Sequence, residues 1–423
     1  SFTVNPLQAG HEVRVSAKAE NKEQSYYTTE IVSFLGKGTE ADPYKAVETE
    51  EYSGGAEHKD ARLSATDIQY GSGIATLVVK GGTVHTSYGG SNSKGNVRAK
   101  LSSTYSAMND ECTMSVDQSY GGGKNAYSDA DVEQLADCAK GVLEMFGGAK
   151  DADIDGDINM VITNGSSLQR VFGGNNTSGA VNGAITVTIK EGGCEPIRIS
   201  ELYAGGYLAP YSVYGYKNTG TVEAPVWEPR TSATDTGTGP ATSYADPIIN
   251  VRSFTSIGRI FGGGLGAGAV VVGNPTVNIN EVVGDNANNT EWDYHQTTTD
   301  GVTTGKTITF SDGSSVVMPT HETGAIGAIG TVFGGGNAAN IIGNTNVNIG
   351  TTDVYSDVTV TTGDDVSNYY TLSEGVYTKA TGTAVEGTTY YERTAGGADI
   401  RENVFGGGNA AVVTGNTNVM VGQ

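Results

Sequence analysis

Basic residues are scarce: 25 Lys and Arg against 47 Asp and Glu leave a formal charge of −22 on 423 residues. So acidic a chain repels nucleic-acid phosphates and anionic membrane surfaces, and neither is expected as a partner; cations and neutral glycans remain open. Cysteine is rare too, with three residues, too few for a disulfide scaffold. Cys112 and Cys138 pair if the segment between them doubles back and are otherwise buried thiols, while Cys194 has no obvious mate. No stretch reaches the roughly 18 apolar residues of a membrane span. No secretory leader precedes SFTVNP, which fits a cytosolic protein or a processed or partial chain. The five histidines (His11, His58, His85, His295, His321) show no metal-binding spacing such as H-E-x-x-H.

Glycine is abundant, at 62 residues, and its placement is periodic. Thr331 to Ile349, TVFGGGNAANIIGNTNVNI, returns at Asn403 to Val421 as NVFGGGNAAVVTGNTNVMV, with looser copies starting at Met145, Val171 and Ile260. In each, an aromatic leads a Gly-rich step, a second Gly follows, and an alternating apolar strand comes next. The second Gly is Gly156 after Phe146, Gly183 after Phe172, Gly273 after Phe261, Gly343 after Phe333 and Gly415 after Phe405. Partial copies at Tyr88, Tyr120 and Tyr203 raise the aromatic-Gly steps to eight; the steps up to Tyr203 are closely set, and those beyond it widen around extra loops. A strand-only unit of roughly 30 residues is too short for a four-stranded propeller blade and lacks the helices of ankyrin arrays. The expected fold is all-β: a parallel β-helix (β-solenoid), right-handed because strand-to-parallel-strand crossovers overwhelmingly are.

Units stacked about 4.8 Å apart superpose like residues. Phe146, Phe172, Tyr203, Phe261, Phe333 and Phe405 are therefore expected in one aromatic column, and Asn337/Asn409 and Asn344/Asn416 in amide ladders. The glycines are expected to supply positive φ at the corners between strands. Residues 1–80 lack the repeat and read as a β-rich cap or irregular first coils; 81–423 read as the solenoid, with insertions at 128–141, 211–246, 284–323 and 351–399. The first insertion reads as a short lateral helix, with Ser128 as N-cap, a stripe of Val132, Leu135, Ala136 and Ala139, and Gly141 as its stop. The other three are rich in Thr, Gly, Ser, Tyr and acids, and Tyr369 to Arg393 reads as a hairpin or small β module. Outward loops of this kind are where binding concentrates, and solvated decoration is the plainer reading.

One stretch has metal-ligand spacing. Asp151, Asp153, Asp155, Gly156, Asp157 and Asn159 spell D-x-D-x-D-G-D-x-N, the front of a calcium loop, so calcium is the one cofactor with a candidate site, at Asp151, Asp153, Asp155 and Asp157. Ile162, however, stands where the bidentate acid belongs, and Gly156 aligns with Gly343 and Gly415 of copies without acidic clusters, so the same aspartates read as corner positions. GGGLGA at 262–267 imitates a dinucleotide fingerprint, yet a strand and a turn follow where a helix is required. β-Helix enzymes acting on polysaccharides place carboxylates with Lys or Arg on one strand face. Here those faces carry Asn, Thr and Ser, which leaves only loops for an active site and no catalytic residue to name.

The segments VFGGGNAAVVTGNTNVMV, VFGGNNTSGAVNGAITVTI, CEPIRISELYAGGYLAPYSVYGY and GKGTEADPY resemble the GGGN/GNT-repeat regions of very large, adhesin-like surface or secreted proteins of gut Bacteroidota, over about residues 70–423. That resemblance implies a right-handed β-helix with an extracellular attachment or structural role. The expected function is a non-enzymatic extracellular stalk or filament whose side loops bind glycans or host surfaces. A polysaccharide-active enzyme and a calcium-dependent binding module are the alternatives. The last strand, Val419 to Val421, is expected either to continue into further coils or to pair end to end with another subunit.

Overall fold

A computed structural model describes residues 12–20, 25–35, 45–47, 74–93, 97, 100–107, 114–221, 226–235, 243–288, 297–299, 302–304 and 306–422. The chain divides into two compact units, Ser1–Ile74 and Ala75–Gln423. In the first, Glu12–Glu20, Ser25–Leu35 and Lys45–Val47 form a three-stranded antiparallel sheet. Among the described residues every element is a strand.

The second unit is built on two nine-stranded parallel sheets that the chain visits in alternation. The first sheet takes Ile74–Val79, Lys100–Tyr105, Val132–Ala136, Ile158–Ile162, Ile185–Lys190, Ile248–Ser253, Thr276–Ile279, Thr345–Ile349 and Thr417–Val421. The second takes Gly82–Tyr88, Met114–Tyr120, Val142–Phe146, Gly165–Phe172, Ile197–Tyr203, Ser256–Phe261, Ala328–Phe333, Asp399–Ile400 and Val404–Phe405. A third parallel sheet has three short strands, Tyr211–Ser212, Val271–Val272 and Ile341–Ile342. The first strand of the first sheet, Ile74–Val79, closes the segment 1–80 read as a β-rich cap or irregular first coils, and Tyr211–Ser212, at the start of the segment 211–246, belongs to the third sheet.

Period-two alternation explains the burial. Along Ile185–Lys190, Ile185, Val187 and Ile189 are buried and the threonines between them half-buried. Rows of this kind from all three sheets meet in one apolar core that joins Val187 to Ile199, Leu202 and Val271.

The segment 128–141 is not a helix. Val132–Ala136 is a strand of the first sheet, with Val132 beside Leu101 on one side and Ile158 on the other. Val132, Gln134 and Ala136 point inward. Gln134, a polar residue at a core position, hid this alternation from the sequence pattern; inside, it donates to Ser119 Oγ at 3.3 Å. Pairing on both sides overrides a helical stripe this short.

The cysteine pairing also differs from expectation: Cys138 is bonded to Cys194, 56 residues away, and Cys112 lies outside the described residues. Both bonded residues sit in turns that lead from the first sheet to the second. The intervening turn is stitched by Asn164, which accepts from the Cys194 and Glu195 N–H groups at 3.0 and 2.8 Å and donates to Asp137 at 3.1 Å. Stacking turns bring together residues that are distant in sequence, so proximity along the chain is a poor guide to pairing.

Positive φ occurs at only some of the repeat's corners, such as Gly273 and Gly343 at +143° and +144°. The glycines after the aromatics are needed for another reason, the closeness of adjacent layers. A Cβ on Gly147 would stand 2.5 Å from the Gly173 carbonyl oxygen, and one on Gly262 would stand 2.2 Å from that of Gly334.

Candidate functional site

Eight rings stand in one continuous stack: Tyr88, Tyr120, Phe146, Phe172, Tyr203, Phe261, Phe333 and Phe405. Their centroids are 4.7 to 4.9 Å apart and their planes within 14° of parallel. The strand spacing sets that separation, which lies within the range of offset stacking. Asn409 donates its amide to Asn337 at 3.0 Å, one rung of a ladder. Asn344 and Asn416 differ from the expected amide ladder: the Asn344 side-chain oxygen accepts the Asn416 backbone N–H at 2.8 Å. Amide-to-amide ladders instead run along Asn250, Asn278 and Asn348 at 3.0 and 2.9 Å, and between Asn346 and Asn418 at 3.0 Å.

Asn344 belongs to a column of side-chain oxygens just ahead of the first sheet. Asp131 accepts the Asp157 N–H at 2.9 Å and Asp157 that of Ala184 at 2.7 Å. Further along, Asp246 accepts from Asn274 at 2.6 Å and Asn274 from Asn344 at 3.0 Å. Each residue satisfies the backbone of the next repeat at a corner where the sheet ladder has not yet begun. The acidic run is drawn into the same work: Asp153 accepts the Ala180 N–H at 2.7 Å, Asp155 the Asn182 amide at 2.6 Å, and Asp151 the Ser178 hydroxyl at 3.5 Å. Burial, against the opposing Ala180 hydrogen bond, raises the Asp153 carboxyl above its usual range. Among the described residues no three His, Cys, Asp or Glu side chains gather as a metal site requires.

On the outer face of the second sheet a charged row is roofed by an insertion. Arg170, Glu201 and Arg259 are lateral neighbours in register. Glu201 accepts from Arg170 Nε at 3.1 Å, Arg259 at 3.3 Å and the Tyr203 hydroxyl at 2.9 Å. The hairpin formed by Thr307–Thr309 and Ser315–Val317 closes over them: Asp312 accepts from Arg170 at 2.8 Å, and the guanidinium lies 4.0 Å from the Phe310 ring centre.

The insertion 351–399 forms a four-stranded antiparallel sheet of Val354–Val358, Tyr390–Thr394, Tyr370–Ser373 and Val376–Lys379. One of its faces packs Val366, Ala380, Ala384 and Tyr390 into a small core. The other gathers tyrosines: Tyr355 stacks on Tyr377 at 3.8 Å, with Tyr370 and Tyr391 edge-on at 5.3 and 5.1 Å. Beside them opens a shallow cavity of about 320 Å³ lined by Asp353, Asn368, Tyr370, Arg393 and Ala395. Arg393 Nε donates to Asp353 at 2.5 Å, and that bond, with the Tyr370 hydroxyl, holds the guanidinium charged. The paired tyrosines of Tyr369 to Arg393 were the only sequence signal for this face; Asp353 and Asn368 carried none.

Glu281 is an acid that sequence reading missed. It is 1% exposed, and among the described residues neither carboxyl oxygen has a hydrogen-bond partner. Burial, helped by the negative charge of Asp399, pushes its carboxyl from 4.5 up to about 9. The folded chain thus keeps a proton that the unfolded chain loses near pH 4.5. Its contribution to stability is full below that pH and is lost as the pH rises toward about 9, at about 1.4 kcal/mol per unit. Glu281→Gln is expected to flatten this limb and add about 3 kcal/mol at pH 7. Urea midpoints at pH 5 and pH 8 check it, and an unchanged slope in the variant would assign the limb to other groups.

Neither a family model, nor a curated protein, nor a solved structure matches the sequence.

Proposed function

We propose that this chain is a non-enzymatic extracellular scaffold, a stalk or filament segment with an adhesive side module, folded as a right-handed parallel β-helix whose faces are the three parallel sheets. The observation that carries the reading is the unbroken stack of eight rings from Tyr88 to Phe405, spanning insertions of very different length. A column of this length ties each layer to the next along the whole stack, which suits a fold whose use is to span distance. The polar side chains support the same role, because Asp131, Asp157, Asp246 and the asparagines spend their acceptors on joining one layer to the next. The Cys138–Cys194 bond supports an oxidising, extracellular setting, and the GGGN…GNT motifs support kinship with adhesin-like surface proteins of gut Bacteroidota.

Nine strands set about 4.8 Å apart give a rod section roughly 40 Å long. Negative-stain images are expected to show the second unit as a rod section of this length, single or joined end to end. Compact globules of equal axes would end the proposal.

A further inference from the structure

We propose that Glu281 is a proton-operated latch at the neck of the 351–399 module, which holds the module's tyrosine face closed on the first sheet while the acid keeps its proton. The inference concerns the module's two positions and stands apart from the scaffold reading above.

The first ground is the construction of the neck. The chain leaves the first sheet after Ile349 and comes back through Gly396, and two consecutive residues of the adjoining layer grip both crossings. Asn280 Oδ1 accepts the Thr351 and Thr352 N–H groups at 2.8 and 2.9 Å. Glu281 exchanges two backbone hydrogen bonds with Gly397, at 2.8 and 2.9 Å. The crossings also press on each other, since a Cβ on Gly396 would stand 2.5 Å from the Thr352 carbonyl oxygen and 2.8 Å from the Asn280 Cβ. Beyond this neck the module has its own sheet and its own small core, so it can lift as a body when the grip fails.

The second ground is what the closed position covers. Tyr377, stacked on Tyr355, lies close to Arg252 of the first sheet. Burial lowers the Arg252 guanidinium from its usual range and raises the Tyr377 hydroxyl from its own, and each partly offsets this by favouring the other's charged form. Arg252 Nη1 is sealed from solvent, with no hydrogen-bond partner among the described residues. The Arg252 carbonyl accepts the Val282 N–H at 2.8 Å, so the sheet side of this contact adjoins the neck.

The third ground is the acid itself. The Glu281 side chain is shut in where the returning crossing lies on it, with both carboxyl oxygens unbonded among the described residues. Charged groups reach this corner from each element packed there. Arg252 comes from the adjoining layer; Glu191 accepts the Asn286 N–H at 3.1 Å; Asp353 is bonded to Arg393; and Asp399, on the returning segment, is bonded to Arg401 at 2.7 Å. An ionised Glu281 in the closed neck is a buried charge without a partner, which is relieved by a proton or by water. Burial, and after it the charge of Asp399, keep the proton on up to about pH 9, whereas a hydrated carboxyl loses it near 4.5. The closed position is therefore fully favoured below pH 4.5 and loses ground as the pH rises toward about 9. One proton leaves per opening, so the open fraction climbs about tenfold per pH unit across that window. The released carboxylate also draws Arg252 from Tyr377, because Arg401 is already held by Asp399 and Glu322.

The test is hydrogen exchange on the full chain, read by mass spectrometry as protection factors, which divide out the intrinsic pH dependence of exchange. Peptides covering 350–353 and 395–398 carry the Thr351, Thr352 and Gly397 amides that the grip protects. In the parent their protection is expected to fall about a hundredfold between about pH 6 and pH 8, one proton over two units. Thr345–Ile349, in the first sheet, and Val354–Val358 and Tyr390–Thr394, within the module, should keep theirs. Glu281→Gln preserves the shape and cannot ionise, so its neck should lose less than about threefold over the same range. At the upper pH, tetranitromethane should nitrate Tyr377 several-fold faster in the parent than in Glu281→Gln. A parent neck that loses less than about threefold, a variant that loses as much as the parent, loss in Thr345–Ile349 together with the neck, or equal nitration of Tyr377 in the two proteins overturns the latch.

Discussion

Phe261→Ala is expected to lower the unfolding free energy by about 3–5 kcal/mol, the upper part of the range for truncating a large core side chain. Phe261 is fully buried, with Tyr203 at 4.7 Å on one side and Phe333 at 4.8 Å on the other, so the truncation removes two ring contacts as well as apolar burial. The site cannot easily collapse. The Ala204 N–H is bonded to the Phe261 carbonyl at 3.1 Å and the Gly262 N–H to that of Phe333 at 2.9 Å, which fixes the strand spacing on both sides of the hole. Phe405→Ala is the control, because that ring is 45% exposed and stacks on one neighbour only; its loss should stay near or below about 1 kcal/mol. Urea unfolding of the two variants beside the parent decides it, with hydrogen exchange to show that the loss centres on Ile197–Tyr203 and Ala328–Phe333. A loss at 261 as small as that expected at 405 would mean that the stack is an alignment without energetic weight.

The same stack explains how much could be read from residues alone. Parallel strands in register convert periodicity along the chain into adjacency in space, so Phe333 and Phe405, separated in sequence by a whole insertion, announce their contact by their shared context. Whatever depends on position within the repeat unit was harder. Asn346 and Asn418 lie side by side within strands and can exchange amides, whereas Asn344 and Asn416 lie at a corner, where the nearest unmet group is a backbone N–H. Both pairs look alike in sequence. The helix expected over 128–141 failed because a single inward Gln134, whose amide donates to Ser119 from the other sheet, broke the apparent alternation. The glycines of the F-G-G steps looked like corner residues, while what they avoid is a clash with a carbonyl one layer away, invisible without the layer. The tyrosine face was half legible: Tyr370, Tyr377 and Tyr391 marked a β module, but only pairing across strands shows that Tyr355 joins them and that Arg393 meets Asp353.

Least legible of all was the charged row under the hairpin, since Arg170 meets Asp312 across 142 residues. It supports the other large expectation: Glu201→Ala should cost about 3–5 kcal/mol, as removing one member of a buried ionic cluster does. The Glu201 side chain is 2% exposed and serves Arg170, Arg259 and the Tyr203 hydroxyl at once. Its loss is unequal for the two cations. Arg259 is 33% exposed and can rehydrate, while Arg170, at 6%, is sealed beneath the Phe310 ring and keeps only Asp312 and Ser314 from the hairpin. The Tyr203 hydroxyl retains the Asn337 amide at 3.2 Å, so the damage should spread toward the hairpin and spare the ring stack. Hydrogen exchange across Thr307–Val317 should therefore speed up before that of Ile197–Tyr203. Replacing the three members together, Arg170→Met, Glu201→Leu and Arg259→Met, should restore most of the lost stability, because a packed apolar row of similar volume avoids burying charge altogether. If Glu201→Ala shifts urea unfolding by less than about 1 kcal/mol, the row behaves as a surface ion network and the hairpin is held by Phe310, Val316 and Met318 instead.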